Sequence, residues 1–219
     1  MPHLDPAVER GIELTLQRPG PYTDADLTEL ESLPVRGPRD LSSLARFTGL
    51  RVLLLIGYVG RDLSVLAEHP ALENVTVEFS AVADVDALAT VRTLSRIYLR
   101  ANAIEDVSAL RTGLPRLREV DLTGNPLSEE SYRKVVPELR ERARETVTVS
   151  GEREWLITRR LYAAGIPFDY FRKGSSYRLC RPGLDYTDMP QANHARIEPD
   201  ELEAILDRDP ARVHDLFGK

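Results

Sequence analysis

The stretch LSRIYLRANAIEDVSAL (residues 94–110) sets out one unit of a pattern that fills the middle of the chain. In steps of 22 on either side of it, apolar residues fall in the same places: Leu41, Leu63, Val85 and Val107; Leu44, Leu66, Leu88 and Leu110; Leu50, Leu72 and Leu94; Leu53, Val75 and Ile97; Leu55, Val77 and Leu99. Asp40, Asp62, Asp84 and Asp106 keep the same step. One extra residue in the fourth unit moves its counterparts to Leu117, Val120 and Leu122. A unit this short cannot bury its own apolar face and must stack on its neighbours, so the period predicts a solenoid. The LxxLxL part alternates with period two, as a short strand does, while DLSSLARF and DLSVLAEH carry the three-residue spacing of a helical turn. One strand and one turn per unit, stacked in parallel, predict an α/β solenoid: a right-handed arc with its sheet on the concave side.

Size, charge and cysteine usage set the bounds. With 219 residues the chain is long enough for a sizeable core. Its net charge of −6 suits a soluble protein and argues against nucleic acid as the main partner. No run approaches the ~20 apolar residues of a membrane span, and the opening MPHLDPAVERGIEL has neither the basic start nor the apolar stretch of a signal peptide. Cys180 is the single cysteine, which excludes an internal disulfide and suits a reducing compartment. A cytoplasmic monomer is the expectation.

The unit at 94–110 resembles the leucine-rich repeat family, in particular the short 22-residue class of bacterial internalin-like proteins, and matches LxxLxLxxNxIxDxxxL at every defining position. DPAVERGIELTLQRPGPYTDADLTELESL (residues 5–33) is similar to the helix and TxxDL stretch that cap such arrays, and DLTGNPLSEESYRKVVPEL (residues 121–139) to their closing repeat and capping helix. The resemblance covers residues 5–145 and implies four regions: an N-terminal helical cap with a divergent first repeat (1–33), the repeats (34–127), a capping helix (128–145) and an appendage (146–219). End units would otherwise expose a row of leucines and an open sheet edge, which is why caps are needed.

The last region has no 22-residue period. VTV (147–149) fits a further strand, REWLITRRLYAAG an amphipathic helix closed by Gly165, and FDYFRKGSSYRLCRPG a hairpin turning at KGSS. Pro182 to Pro199 reads as loop, and PDELEAILDR and PARVHDLFG as short helices, giving a small α+β appendage on the end of the coil.

If the leucines of each strand face inward, the residues between them face the concave surface. These are Val52, Leu54 and Ile56; Asn74, Thr76 and Glu78; Arg96, Tyr98 and Arg100; Glu119, Asp121 and Thr123. The strand VLLLI (52–56) is the anomaly, since concave positions that meet only water should be polar. A contiguous apolar surface marks an interaction site, and Tyr58, Phe79 and Tyr98 could supply anchors beside it. Three readings stand: a partner-binding face, cover by the N-terminal arm or the C-terminal region, or a shifted strand register. Arg96 and Arg100 beside Glu119 and Asp121 read equally as cross-strand ion pairs on a solvated face. Asn102 and Asn125 fill the position whose side chain, as the resemblance implies, forms a ladder of hydrogen bonds down the coil; Tyr58 and Ser80 take the earlier places.

Chemistry beyond binding finds little support. Cys180 and His194 have no diagnostic spacing for nucleophilic catalysis, and His3, His69, His194 and His214 are scattered without metal-ligand spacing. No enzyme activity, cofactor or metal is expected. Arg153, Arg159, Arg160, Arg172, Lys173, Arg178 and Arg181 are interleaved with aromatic residues, which would suit a nucleic-acid reader, yet residues 182–219 carry nine carboxylates against four basic side chains. The expected partner is another protein, held on the concave face. A scaffold whose C-terminal region carries a nucleic-acid-binding or regulatory activity is one alternative, and an immunity-type binder that neutralises a partner enzyme is another.

Overall fold

The computed structural model describes residues 4–183 and 194–217, and within them the period becomes a coil. Six parallel strands follow in chain order: β1 (Ser32–Arg36), β2 (Val52–Ile56), β3 (Asn74–Glu78), β4 (Arg96–Tyr98), β5 (Glu119–Asp121) and β6 (Thr146–Thr148). Leu33, Leu53, Val75, Ile97, Val120 and Val147 lie in one register row, and Val35, Leu55 and Val77 in the next. All of them are buried, so every strand turns its alternate residues into one continuous core. The last strand spans Thr146–Thr148 because Val147 must enter the row of Val120; the expected strand at 147–149 is one residue out.

The aspartates of the period build the turns opposite the sheet. Asp40, Asp62, Asp84 and Asp106 each accept the backbone N–H two residues on, from Ser42, Ser64, Asp86 and Ser108, at 2.8–2.9 Å. Each such bond satisfies a donor at the start of a 3-10 turn that would otherwise be left open. Ser42 and Ser64 bond the aspartate through their hydroxyls as well. These bonds hold the carboxyls of Asp40, Asp62 and Asp106 below the usual aspartate range.

The chain leaves the strands through a left-handed residue that also keeps register: Gly37, Gly57, Phe79, Ala101 and Gly124 have φ of 66°, 71°, 50°, 53° and 82°. Glycine meets that need without a penalty, whereas a phenylalanine there is strained and has to be held by its surroundings.

At the N-terminal end, α1 (Pro6–Leu16) lies against β1. Asp5 starts it by accepting the Ala7 N–H, and Val8 and Ile12 bury on the core. Gly11 permits the close approach, because any side chain there would collide with the Pro34 carbonyl oxygen. The helix α2 (Asp24–Glu29) opens with a reciprocal Thr23–Asp26 capping box. At the other end, a π turn over Ser131–Val135 leads into α3 (Val136–Arg142), which buries Val136 and Leu139.

The remaining residues fold as α4 (Glu152–Ala163), an antiparallel hairpin of β7 (Asp169–Lys173) and β8 (Ser176–Cys180), α5 (Pro199–Arg208) and a 3-10 helix over Pro210–Phe217. Trp155 joins them to the array: it is fully buried, stacks on Tyr132 at 3.9 Å and donates its indole N–H to the Leu127 carbonyl at 2.6 Å. The segment expected as loop between Pro182 and Pro199 lies mostly outside the described residues; Ala195 bridges to Leu179. Among the described residues no helix is long and apolar enough to cross a membrane.

Candidate binding surface on the concave sheet

Strand pairing arranges the outward side chains in rows. Ser32, Val52, Asn74, Arg96, Glu119 and Thr146 form one row, and Pro34, Leu54, Thr76, Tyr98, Asp121 and Thr148 the next. A third begins Arg36, Ile56 and Glu78. The face therefore has a lengthwise gradient. It runs from Ser32, Pro34 and Arg36 beside α1, through the apolar outward positions of β2 and the small polar Asn74 and Thr76, to a charged block.

The charged block is closed on itself. Tyr98 donates its hydroxyl to Glu119 at 2.6 Å, and the Arg96 guanidinium stands 3.8 Å from the same carboxylate. Arg100 pairs with the buried Asp121 at 2.6 Å, and Asp121 also accepts the Thr123 N–H at 2.9 Å. Burial and the bond to Glu119 push the Tyr98 hydroxyl up to about 12, so it stays a donor at any ordinary pH. Arg96, Tyr98, Arg100, Glu119 and Asp121 thus meet one another across the strands.

The apolar strand is divided. Val52 is 38% exposed and Leu54 half-buried, with Pro34 and Thr76 as its register neighbours. Ile56 instead packs into a cluster with Phe79, Ala101, Phe171 and Cys180, so the C-terminal hairpin covers that end of the strand. The Gly183 N–H donates to the Phe79 carbonyl at 2.9 Å and ties the chain down beyond the hairpin. The two readings of VLLLI hold for different residues: cover at Ile56, openness at Val52 and Leu54.

Burial corrects two expected anchors, Phe79 under the hairpin and Tyr58 in the core of the array. Phe79 is 4% exposed, 4.9 Å from the His194 ring and 6.1 Å from that of Phe171, and these aromatics hold it in its left-handed conformation. Tyr58 is buried as well. Neither lies open on the concave face, while Tyr98 stays half-buried there. The C-terminal region is also placed differently from the expectation of a unit on the end of the coil, since its hairpin reaches back along the strand ends to β2. Glu78 lies beneath this edge. Burial pushes its carboxyl up and Asp121 adds to that, against the pull of Arg100 and Lys173.

The ladder residues face inward. Asn125 donates to the carbonyls of Leu99 and Leu122 at 2.7 and 2.9 Å and accepts the Ile104 N–H at 3.2 Å. Asn102 donates to Val77 and Leu99 at 2.7 and 3.0 Å. Ser80 does part of this work one unit earlier, accepting the Tyr58 N–H and donating to the Glu78 carbonyl, both at 2.9 Å.

Three face residues escaped the sequence reading: Ser32, Pro34 and Arg36. Their strand stands 20 residues before β2 rather than 22, outside the period; only the alternation SLPVR could have shown it. In the C-terminal region, the three basic side chains of α4 are paired, whereas Arg172, Lys173 and Arg178 of the hairpin have no ion pair among the described residues. Arg153 bonds Asp200 and Glu203, Arg160 bonds Asp207, and Arg159 bonds Glu129. Cys180 and His194 both lie buried around Phe171 in the aromatic cluster.

No family model matches the chain, and a comparison with curated proteins finds no match. Solved structures do match. An internalin (inlF) from Listeria monocytogenes is 25% identical with a TM-score of 0.57, over 67% of this chain and 43% of that one. An internalin C2 (inlC2) from the same organism is 18% identical with a TM-score of 0.46, over 68% and 77%. The functional domain of InlJ, also from Listeria monocytogenes, is 17% identical with a TM-score of 0.45, over 56% and 28%. The chain spans less than half the length of the inlF chain it matches. Its structural neighbours are internalins, which are leucine-rich repeat proteins, and its parallel coil is a leucine-rich repeat solenoid.

Proposed function

We propose that this protein is a protein-interaction module that receives its partner on the N-terminal half of the concave sheet. One observation carries the reading: Val52 and Leu54 form an open apolar strip with Pro34, in the outward positions of a sheet whose other strands are polar or charged there. Burying such a strip drives association, and the rigid stack of strands leaves little ordering entropy to lose on binding. Asn74 and Thr76 border the strip and can supply directional hydrogen bonds. The charged block at β4 and β5 serves as the polar rim, with Tyr98 at its edge. The C-terminal hairpin narrows the face by occupying the far end of β2.

The internal pairing of Arg153, Arg159 and Arg160 leaves less unpaired positive charge in the C-terminal region and weighs against a nucleic-acid reader there. The test is affinity capture with the intact chain against Leu54→Glu and Tyr98→Ala. Leu54→Glu should lose the specific partner and Tyr98→Ala should weaken its retention. If every specific partner survives both changes, the concave-face reading is wrong.

A further inference from the structure

At the N-terminal edge of the open strip, α1 and the array enclose a groove of about 740 Å³. α1 supplies Arg10 and Leu14 to one wall; β1 and the turn after it supply Pro34, Arg36 and Arg39 to the other. Leu14 is 65% exposed, the largest exposure of any big apolar side chain among the described residues. The three arginines are exposed too, and none has an ion pair among the described residues. Elsewhere on the array Arg18, Arg46, Arg51, Arg96 and Arg100 are each bound to a carboxylate. Arg61, Arg92 and Arg116 are exposed without an ion pair among the described residues; the groove is set apart by bringing three arginines to one concavity. The one acidic residue lining the groove, Asp5, has its oxygens turned to the backbone N–H groups of Ala7, Arg39 and Asp40. Glu9 and Glu13 line the neighbouring depression beside Pro21 and Tyr22, which Arg10 shares, so Arg36 and Arg39 are the arginines that face the groove alone.

On a chain of net charge −6, a groove with three such guanidinium groups around Leu14 and Pro34 is complementary to negative charge. We infer that it binds an extended acidic segment of a protein partner, with an apolar side chain of that segment seated against Leu14 and Pro34. The planar fork of arginine suits carboxylates, which it can engage through two parallel hydrogen bonds. This rests on the concave face being a protein-binding surface. Pro34 and Arg36 stand in register with Leu54 and Ile56, so the groove opens directly onto the apolar strip.

The experiment uses the full chain and two fluorescein-labelled peptides, EDELEDE and its uncharged counterpart QNQLQNQ, read by fluorescence anisotropy at physiological salt. EDELEDE should bind, and QNQLQNQ at least about tenfold more weakly. The double variant Arg36→Glu, Arg39→Glu should weaken EDELEDE by at least about tenfold, and Leu14→Asp should weaken it as well. All three positions are exposed, so the variants keep the core intact. Absence of binding to the unmodified chain, or equal binding to the charge-reversed one, overturns the inference. So does arginine-dependent binding to phosphatidylserine vesicles without binding of EDELEDE, which would make the groove a lipid contact. Partner retention by Leu54→Glu would sink the concave-face reading whatever the peptide does. Failure of the peptide alone removes the groove and leaves that reading standing.

Discussion

The two halves of the array are built from the same inward residues and differ in what they do with the rest. In the C-terminal half, asparagines bridge consecutive turns, and Arg96, Tyr98, Arg100, Glu119 and Asp121 satisfy one another on the concave face. In the N-terminal half a serine replaces one asparagine, the outward positions of β2 are apolar, and three arginines beside α1 have no ion pair among the described residues. On the concave face, the C-terminal half pairs its charges with one another, and the N-terminal half leaves an apolar strip open. The proposed binding strip thus lies in the half with the weaker ladder, although each unit contributes the same buried leucines.

Substitution in the ladder should give the largest contrast. Asn125→Ala strands the Leu122 carbonyl and the Ile104 N–H and leaves the Leu99 carbonyl to Asn102 alone, and should cost about 3 kcal/mol in urea unfolding. Ser80→Ala strands fewer groups and should cost about 1 kcal/mol. Equal losses would mean that the serine is a full replacement and the two halves are equally tied. The next contrast is on the concave face. Leu54→Glu should weaken partner binding by about 2 kcal/mol with the melting temperature near that of the unmodified chain. Arg100→Ala should do the reverse, leaving affinity unchanged and lowering stability by about 2 kcal/mol, because the buried Asp121 carboxylate loses its ion pair.

The smallest effect is at the boundary between the halves, where Glu78 lies under the hairpin. Its folded carboxyl is raised above the unfolded value, so its contribution is fully favourable at low pH and is lost as pH rises through the folded pKa. Glu78→Gln should therefore melt slightly higher than the unmodified chain at pH 7, with the gap closing near pH 4. A variant that melts lower at pH 7 would show that Arg100 and Lys173 outweigh burial.

Most of the coil was legible because its signal is periodic. The rows of leucine and aspartate predict the strand spacing and the turns, and the structure gives the aspartates their cause in the N–H groups they accept. The hairpin at 169–180 was legible from local alternation and a turn sequence. The fold-back of that hairpin onto Ile56 and Phe79 was not, since no local pattern links residues more than 90 positions apart. One trace of it existed: Phe79 and Ala101 stand in a column otherwise filled by Gly37, Gly57 and Gly124. A phenylalanine in a column that favours glycine implies a compensating contact, and Phe171 and His194 provide it. The groove beside α1 was hidden for a similar reason, because its two walls come from separate stretches of the chain.

The central claim is that recognition sits on the open strip of β1 and β2. Hydroxyl-radical footprinting of the chain alone and with its captured partner tests it side chain by side chain. The account predicts that Pro34, Val52 and Leu54 lose their oxidation in the complex while Leu156, exposed on α4, keeps it. Protection confined to α4 and the C-terminal hairpin, with Leu54 still oxidised, would contradict it.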